Sequence, residues 1–188
     1  MIKINNKLNF AKNSRPIVIA EISANHCGNK KLFLNLIKKA HSSGADMVKI
    51  QTYEPGDITL QSKNKKFKIN SGIWKNKYLW DIYKKTQTPF MWHKDAFKLA
   101  RKRKINLFST PFSLRAVDLL EKEKVKFYKI ASLENDDELL IRKIAKTKKP
   151  IILSTGASEI KDIKKTINII NNYHNKLIIL HCVTEYPT

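Results

Sequence analysis

The sequence sets short apolar runs at intervals and closes each with a small polar or ionisable residue: Glu21, Lys49, Thr110, Lys129, Ser154 and His181. In a parallel barrel or an open α/β sheet, residues just past the carboxyl ends of the strands converge on one mouth, so groups scattered along a chain meet at one ligand. The runs, over 16–22, 47–51, 105–109, 127–131, 151–154 and 177–182, are the expected strands. Helical spacing of apolar residues is expected around 32–40, 77–85, 92–102, 114–123, 137–145 and 159–171. Alternation at roughly 20 to 30 residues is the rhythm of βαβ units on a parallel sheet. An eight-stranded barrel takes about 250 residues. This sequence of 188 ends just after the sixth run, so a barrel here is expected to be truncated after about its sixth strand.

Length and 42% hydrophobic content suffice for one buried core. Residues 1–15 are polar and lysine-rich, fit for a small hairpin or a frayed tail, and 16–188 form the α/β domain. The longest connection, 52–91, carries Tyr53, Trp74, Tyr78, Trp80 and Tyr83, which suit either a lid over the mouth or the apolar stripe of a helix.

A formal charge of +21 raises the question of a nucleic-acid or anionic-membrane partner. Only five of the 37 basic residues are arginine, whereas phosphate and base-edge recognition leans on the arginine fork. The lysines are spread over most helices, the pattern of solvated helix faces, so neither nucleic acid nor membrane is expected as a partner. Cys27 and Cys182 are too few for a disulfide framework, and no stretch has the form of a signal peptide or a membrane span; a soluble protein of the reducing cytoplasm is expected.

Lys49 and Lys129 stand in two separate strands. An ammonium in an apolar strand is costly unless it meets an anion, so two directed to one mouth suggest a bound phosphate or carboxylate. Thr110, Ser132 and the run Ser154-Thr155-Gly156 add hydroxyls and backbone amides suited to phosphate oxygens. Glu21 and Glu134 are the carboxylates best placed at the mouth, for general base work, for a metal-bound water, or for pairing with a lysine. His181 lacks a neighbouring histidine in metal-ligand spacing, and His26 either faces ligand or pins the first βα turn. His41, His93 and His174 fall on helices or surface turns and are assigned no chemistry.

With these residues in place the chain resembles the sialic acid (nonulosonic acid) synthase family from about residue 17 to 188. The likeness rests on six ordered motifs: Ala20-Glu21-Ile22-Ser23-Ala24-Asn25-His26 with Gly28, Val48-Lys49-Ile50-Gln51, Ser109-Thr110-Pro111-Phe112, Lys129-Ile130-Ala131-Ser132, Ser154-Thr155-Gly156 and Leu180-His181-Cys182, closed by Tyr186-Pro187. The opening motif, Trp74, Thr88-Pro89 before Trp92-His93, and Ser132 with Glu134-Asn135 are similar to the pseudaminic acid synthase branch. Leu180-His181-Cys182 with Thr184-Glu185-Tyr186-Pro187 is more similar to the N-acetylneuraminate and legionaminate branches.

The resemblance implies a TIM barrel, a (β/α)8 fold, followed by an antifreeze-like domain that is absent from this sequence. It implies condensation of phosphoenolpyruvate with an N-acetylated amino sugar, pseudaminate precursor favoured, to a nine-carbon 2-keto sugar acid with release of phosphate. Lys49, Thr110, Lys129, Ser132 and Ser154 would hold phosphoenolpyruvate; Gln51, Asn25 and Tyr186 would line the substrates; Glu134 and Glu21 would be catalytic. It further implies a homodimer when complete and a divalent metal, manganese by the family's habit, acting as Lewis acid on the sugar aldehyde. His181 matches one of two histidine ligands and the second would lie beyond Thr188, so the fragment is expected to bind metal poorly and to be inactive alone. The rivals are a phosphoenolpyruvate-condensing barrel for a phosphorylated sugar, which calls for further arginines, and a basic nucleic-acid-binding module.

Overall fold

The computed structural model describes residues 2–3, 9–11 and 14–183. β1 (Ile2–Lys3) and β2 (Asn9–Phe10) pair antiparallel, and Ile2 and Phe10 pack against the edge of the main core. Six parallel strands then follow in sequential order: β3 (Ile19–Glu21), β4 (Met47–Thr52), β5 (Leu107–Pro111), β6 (Tyr128–Ile130), β7 (Ile151–Ser154) and β8 (Leu177–Leu180). Sequential parallel order is the order of a (β/α)8 barrel, here a six-stranded half-barrel with β3 and β8 at its edges.

The crossovers are helical: α1 (Lys30–Ser42), α2 (Pro55–Ile58), α3 (Leu79–Thr86), α4 (Phe90–Arg103), α5 (Leu114–Lys122), α6 (Glu138–Lys146) and α7 (Ile160–Asn171). Three of them, α1, α5 and α6, are capped at the start by short polar side chains that accept orphan N–H groups: Asn29 from Leu32, Ser113 from Ala116, and Asp137 from Leu140. Between sheet and helices lies a continuous apolar layer that includes Phe33, Ile37, Ile50, Phe97, Leu120, Ile144, Leu153 and Ile170. No helix among the described residues is long and apolar enough to cross a membrane.

Several boundaries differ from those expected. The third strand pairs over Leu107–Pro111 and not from residue 105, because Ile105 closes α4: its N–H bonds the Ala100 carbonyl at 2.9 Å with Lys104 left-handed at φ 57. Helix α4 begins at Phe90, two residues early, because Pro89 caps it and its missing N–H is no loss there. Lys49, Thr110 and Lys129 lie within their strands and not at the ends; only Glu21 and Ser154 are terminal, and His181 is one residue past β8. In the 52–91 connection Tyr53 is buried against Tyr83 and Phe112, whereas Trp74 is exposed.

The packed layer predicts a sharp contrast between two isoleucines. Ile144→Ala, at a fully buried site, should destabilise the protein by roughly 2–5 kcal/mol in urea unfolding. Ile160→Ala, at an exposed helix start, should stay within about 0.5 kcal/mol of the parent.

Candidate functional site

Strand register brings the first cluster together. Glu21 is paired with Lys49 across β3 and β4, and Gln51 with Thr110 across β4 and β5. Alternate residues of a strand share a face, so Lys49 and Gln51 point the same way. The Lys49 ammonium contacts the Glu21 carboxylate and donates to Thr110 Oγ1 at 3.2 Å. Glu21 also accepts the Ser23 N–H at 2.9 Å, and the Ser23 hydroxyl reaches Gln51 Oε1 at 3.3 Å.

The second cluster is built on β6 and β7. Lys129 is buried, and its ammonium donates to Ser154 Oγ at 2.5 Å and to the Ile130 carbonyl at 2.7 Å. Ser132 opens a 3-10 turn, Ser132–Glu134, directly after β6. Glu134 ends that turn, and its Oε2 is buried without a hydrogen-bond partner. Burial lifts the Glu134 carboxyl to about 7 against the opposing pull of its own backbone N–H and of Lys129.

The two clusters share one electrostatic field. Burial, with the charge on Lys129 adding to it, lowers Lys49 to about 7; the Glu21 carboxylate in contact with it pulls the other way. Burial brings Lys129 down to about 8, with Cys182 and Glu134 opposing. Burial also opposes ionisation of the Cys182 thiol, but the Ser154 hydroxyl, the Thr155 and Gly156 amides and Lys129 together hold it below its usual value. A sulfur in that place marks where turn amides, a hydroxyl and an ammonium converge, the donor set of an anion cradle. Sequence reading named the lysines and hydroxyls and missed the thiol beside them.

The other expected residues divide between rim and scaffold. Asn25 is exposed at the rim, its amide turned back to the Ile22 carbonyl at 2.9 Å. His181 is exposed just past β8, and Tyr186 lies outside the described residues. His26 is fully buried: its Nδ1 accepts the Gly28 N–H at 3.1 Å, so Nε2 carries the proton and donates to Thr88 Oγ1 at 3.2 Å. It therefore pins the first βα turn, in which Gly28 holds φ +71, and does not face ligand.

Among the described residues no group of three or more His, Cys, Asp or Glu is placed to hold a metal ion. His181 is one exposed donor, so the described residues by themselves do not make a divalent-metal site.

The sequence is that of a known family. Residues 36–188 match the model of the NeuB family, and the chain belongs to it. The chain is 40% identical over 181 residues to the pseudaminic acid synthase of Campylobacter jejuni, covering 96% of this chain and 53% of that protein. It is 41% identical over 174 residues to the pseudaminic acid synthase of Helicobacter pylori, covering 92% and 51%. It thus spans about half the length of the curated relatives it matches. Among solved structures, the N-acetylneuraminic acid (sialic acid) synthetase of Leptospira borgpetersenii superposes with a TM-score of 0.79 at 25% identity, covering 96% of this chain and 60% of that one.

The lysine pair sets the pH behaviour of the cradle. Both ammonium groups must be charged to hold a phosphate, and in the free protein they deprotonate near 7 and 8. Affinity for sulfate, a tetrahedral anion that does not titrate in this window, read by calorimetry, should weaken as pH rises through it, with protons taken up on binding. A pH-independent affinity across it would show that these lysines do not carry the anion.

Proposed function

We propose that this chain forms the phosphoenolpyruvate-binding barrel of a nonulosonic acid synthase of the pseudaminate type. One observation carries the reading: two ammonium groups from separate strands, Lys129 buried and Lys49 half-buried, each bonded to a hydroxyl that a phosphate or carboxylate oxygen could join. The 40–41% identity to pseudaminic acid synthases supports the branch.

In this reading Lys49, Thr110, Lys129, Ser132 and Ser154 hold phosphoenolpyruvate, and the two lysines offset charge on the departing phosphate. The enol carbon attacks the aldehyde carbon of the open-chain amino sugar, and the cation left at the phosphate-bearing carbon takes up water. Glu134, a carboxyl held near 7, receives the proton of that water. The tetrahedral intermediate then loses phosphate by C–O cleavage and leaves the 2-keto acid. Glu21, Gln51 and Asn25 contact the sugar, with Glu21 also holding Lys49 in place. His181 would supply one ligand to a divalent metal, manganese in this proposal, which when bound would act as a Lewis acid on the sugar aldehyde. The enzyme works in the cytoplasm as a homodimer when complete, with no nucleic-acid or membrane partner.

The rival with a phosphorylated sugar requires arginines free for a second phosphate. Arg115 at the mouth is bound to Asp57 at 2.9 Å and Glu54 at 2.6 Å, and Arg142 is bound to Glu138. Neither is available without breaking an ion pair.

The test is phosphate release from phosphoenolpyruvate, with manganese, by the longest reading frame that contains this chain. N-acetylmannosamine is compared with the diacetamido-trideoxy sugars of the pseudaminate and legionaminate routes. Release with the pseudaminate precursor alone is expected; release with another sugar moves the enzyme to the N-acetylneuraminate or legionaminate branch, and silence with all three from a folded protein rejects the reading. Glu134→Gln in that protein should lower turnover by about a hundredfold or more with phosphoenolpyruvate KM little changed. Near-normal turnover would remove Glu134 from the reaction.

A further inference from the structure

Residues next to the site's ligands on β4 and β5 face the opposite side of the sheet. Lys49, Gln51 and Thr110 share the inner face, while Thr52 and Ser109 face the helix layer and meet α4. That layer is otherwise apolar, with Ile50, Ala96, Phe97 and Leu107 among its members. Yet three polar side chains, Thr52, Ser109 and His93, are wholly buried there at 0% exposure. Valine, alanine and leucine would occupy the same layer with no polar group to desolvate.

The three form a continuous chain. His93 Nε2 is 2.8 Å from Thr52 Oγ1, Thr52 Oγ1 is 2.6 Å from Ser109 Oγ, and Ser109 Oγ is 3.1 Å from the Ile50 carbonyl. Proton accounting leaves two orders. In one, His93 donates to Thr52, Thr52 to Ser109, and Ser109 to Ile50. In the other, His93 Nδ1 donates to the Pro89 carbonyl at 3.3 Å, Thr52 donates to Nε2, and Ser109 donates to Thr52. Each order spends three hydrogens on four contacts: the first leaves the Pro89 carbonyl without the ring hydrogen, the second leaves the Ile50 carbonyl without the Ser109 hydrogen, and in either one removing a member leaves a further buried polar atom unpaired. The chain ties α4, β4 and β5 together at the height where the site's side chains turn inward.

We propose that His93 is a positioning residue for the candidate active site: through Thr52 and Ser109 it holds β4 and β5 so that Lys49, Gln51 and Thr110 present one surface to phosphoenolpyruvate. The proposal rests on the reading of that surface as the phosphoenolpyruvate pocket. It assigns a task to a histidine that sequence reasoning left without chemistry, and it places that task on the far side of the sheet from the ligand.

The test uses three variants of the full-length protein. His93→Leu fills the space and removes both ring nitrogens; Thr52→Val is nearly isosteric and cuts the chain at its middle; His93→Gln returns a donor and an acceptor. Leu and Val should raise the phosphoenolpyruvate KM about tenfold or more with kcat changed less than about threefold, and Gln should recover most of the loss. If His93→Leu does not fold, Thr52→Val and His93→Gln carry the comparison. A parent-like KM in the Leu and Val variants overturns the proposal, as does a KM loss that Gln fails to restore or that simply follows the unfolding midpoint. A parent that neither binds nor turns over phosphoenolpyruvate removes the underlying reading as well. A parent that does so and is indifferent to His93 and Thr52 removes this proposal alone.

Discussion

Two ammonium groups held within a parallel sheet, Lys129 buried and Lys49 half-buried, set the terms for the rest of this structure. A lysine can occupy such a place only if its charge is met by dipoles or an opposite charge, and two within each other's field each make the other harder to hold. Lys49 is met by Glu21 and Thr110, and Lys129 by Ser154 and the Ile130 carbonyl. Every one of these partners comes from the same strand or an adjacent one, so sequential strand order is what makes the pair affordable. An anion seated between the clusters would complete the compensation, which is why the physical cost and the inferred chemistry point to the same ligand.

The loops around that pair are fastened by buried polar groups. His26 joins the β3–α1 turn to Thr88 at the return of the long connection, and Tyr53 bonds Thr86 at 2.9 Å beside it. Across the mouth, Asn135 donates to Ser158 at 3.0 Å and its carbonyl accepts from Thr166 at 2.7 Å. This ties the residue after Glu134 to the β7–α7 loop that follows Ser154. The site thus combines charged groups on the inner face with neutral fasteners behind and around them, the division expected where geometry must be held to a fraction of an ångström.

Much of the site was legible in sequence because strand alternation is a strong signal. Lys49, Thr110, Lys129 and Ser154 stand out as polar residues in apolar runs, and the structure brings them into two linked clusters. Their depth was misjudged: three lie within strands, because strand ends are set by pairing with neighbours and by helix caps such as Lys104, which local patterning does not report. His93 was passed over for a related reason. On a helical wheel it is one polar residue among Trp92, Ala96 and Phe97, and nothing local shows that its partners stand at 52 and 109. His26 remained ambiguous until the Gly28 N–H fixed its tautomer.

The sequence by itself determined the α/β class, the parallel order and the residue types that an anion site needs, because these follow from short-range periodicity and from the cost of charge in apolar runs. Only the tertiary structure decided which carboxylate meets which lysine and which hydroxyl accepts from which ammonium. It also decided which histidines are fasteners and not ligand contacts. Those outcomes depend on strand register and on helices packed across the sheet, long-range pairings between residues up to 62 positions apart that no local pattern encodes.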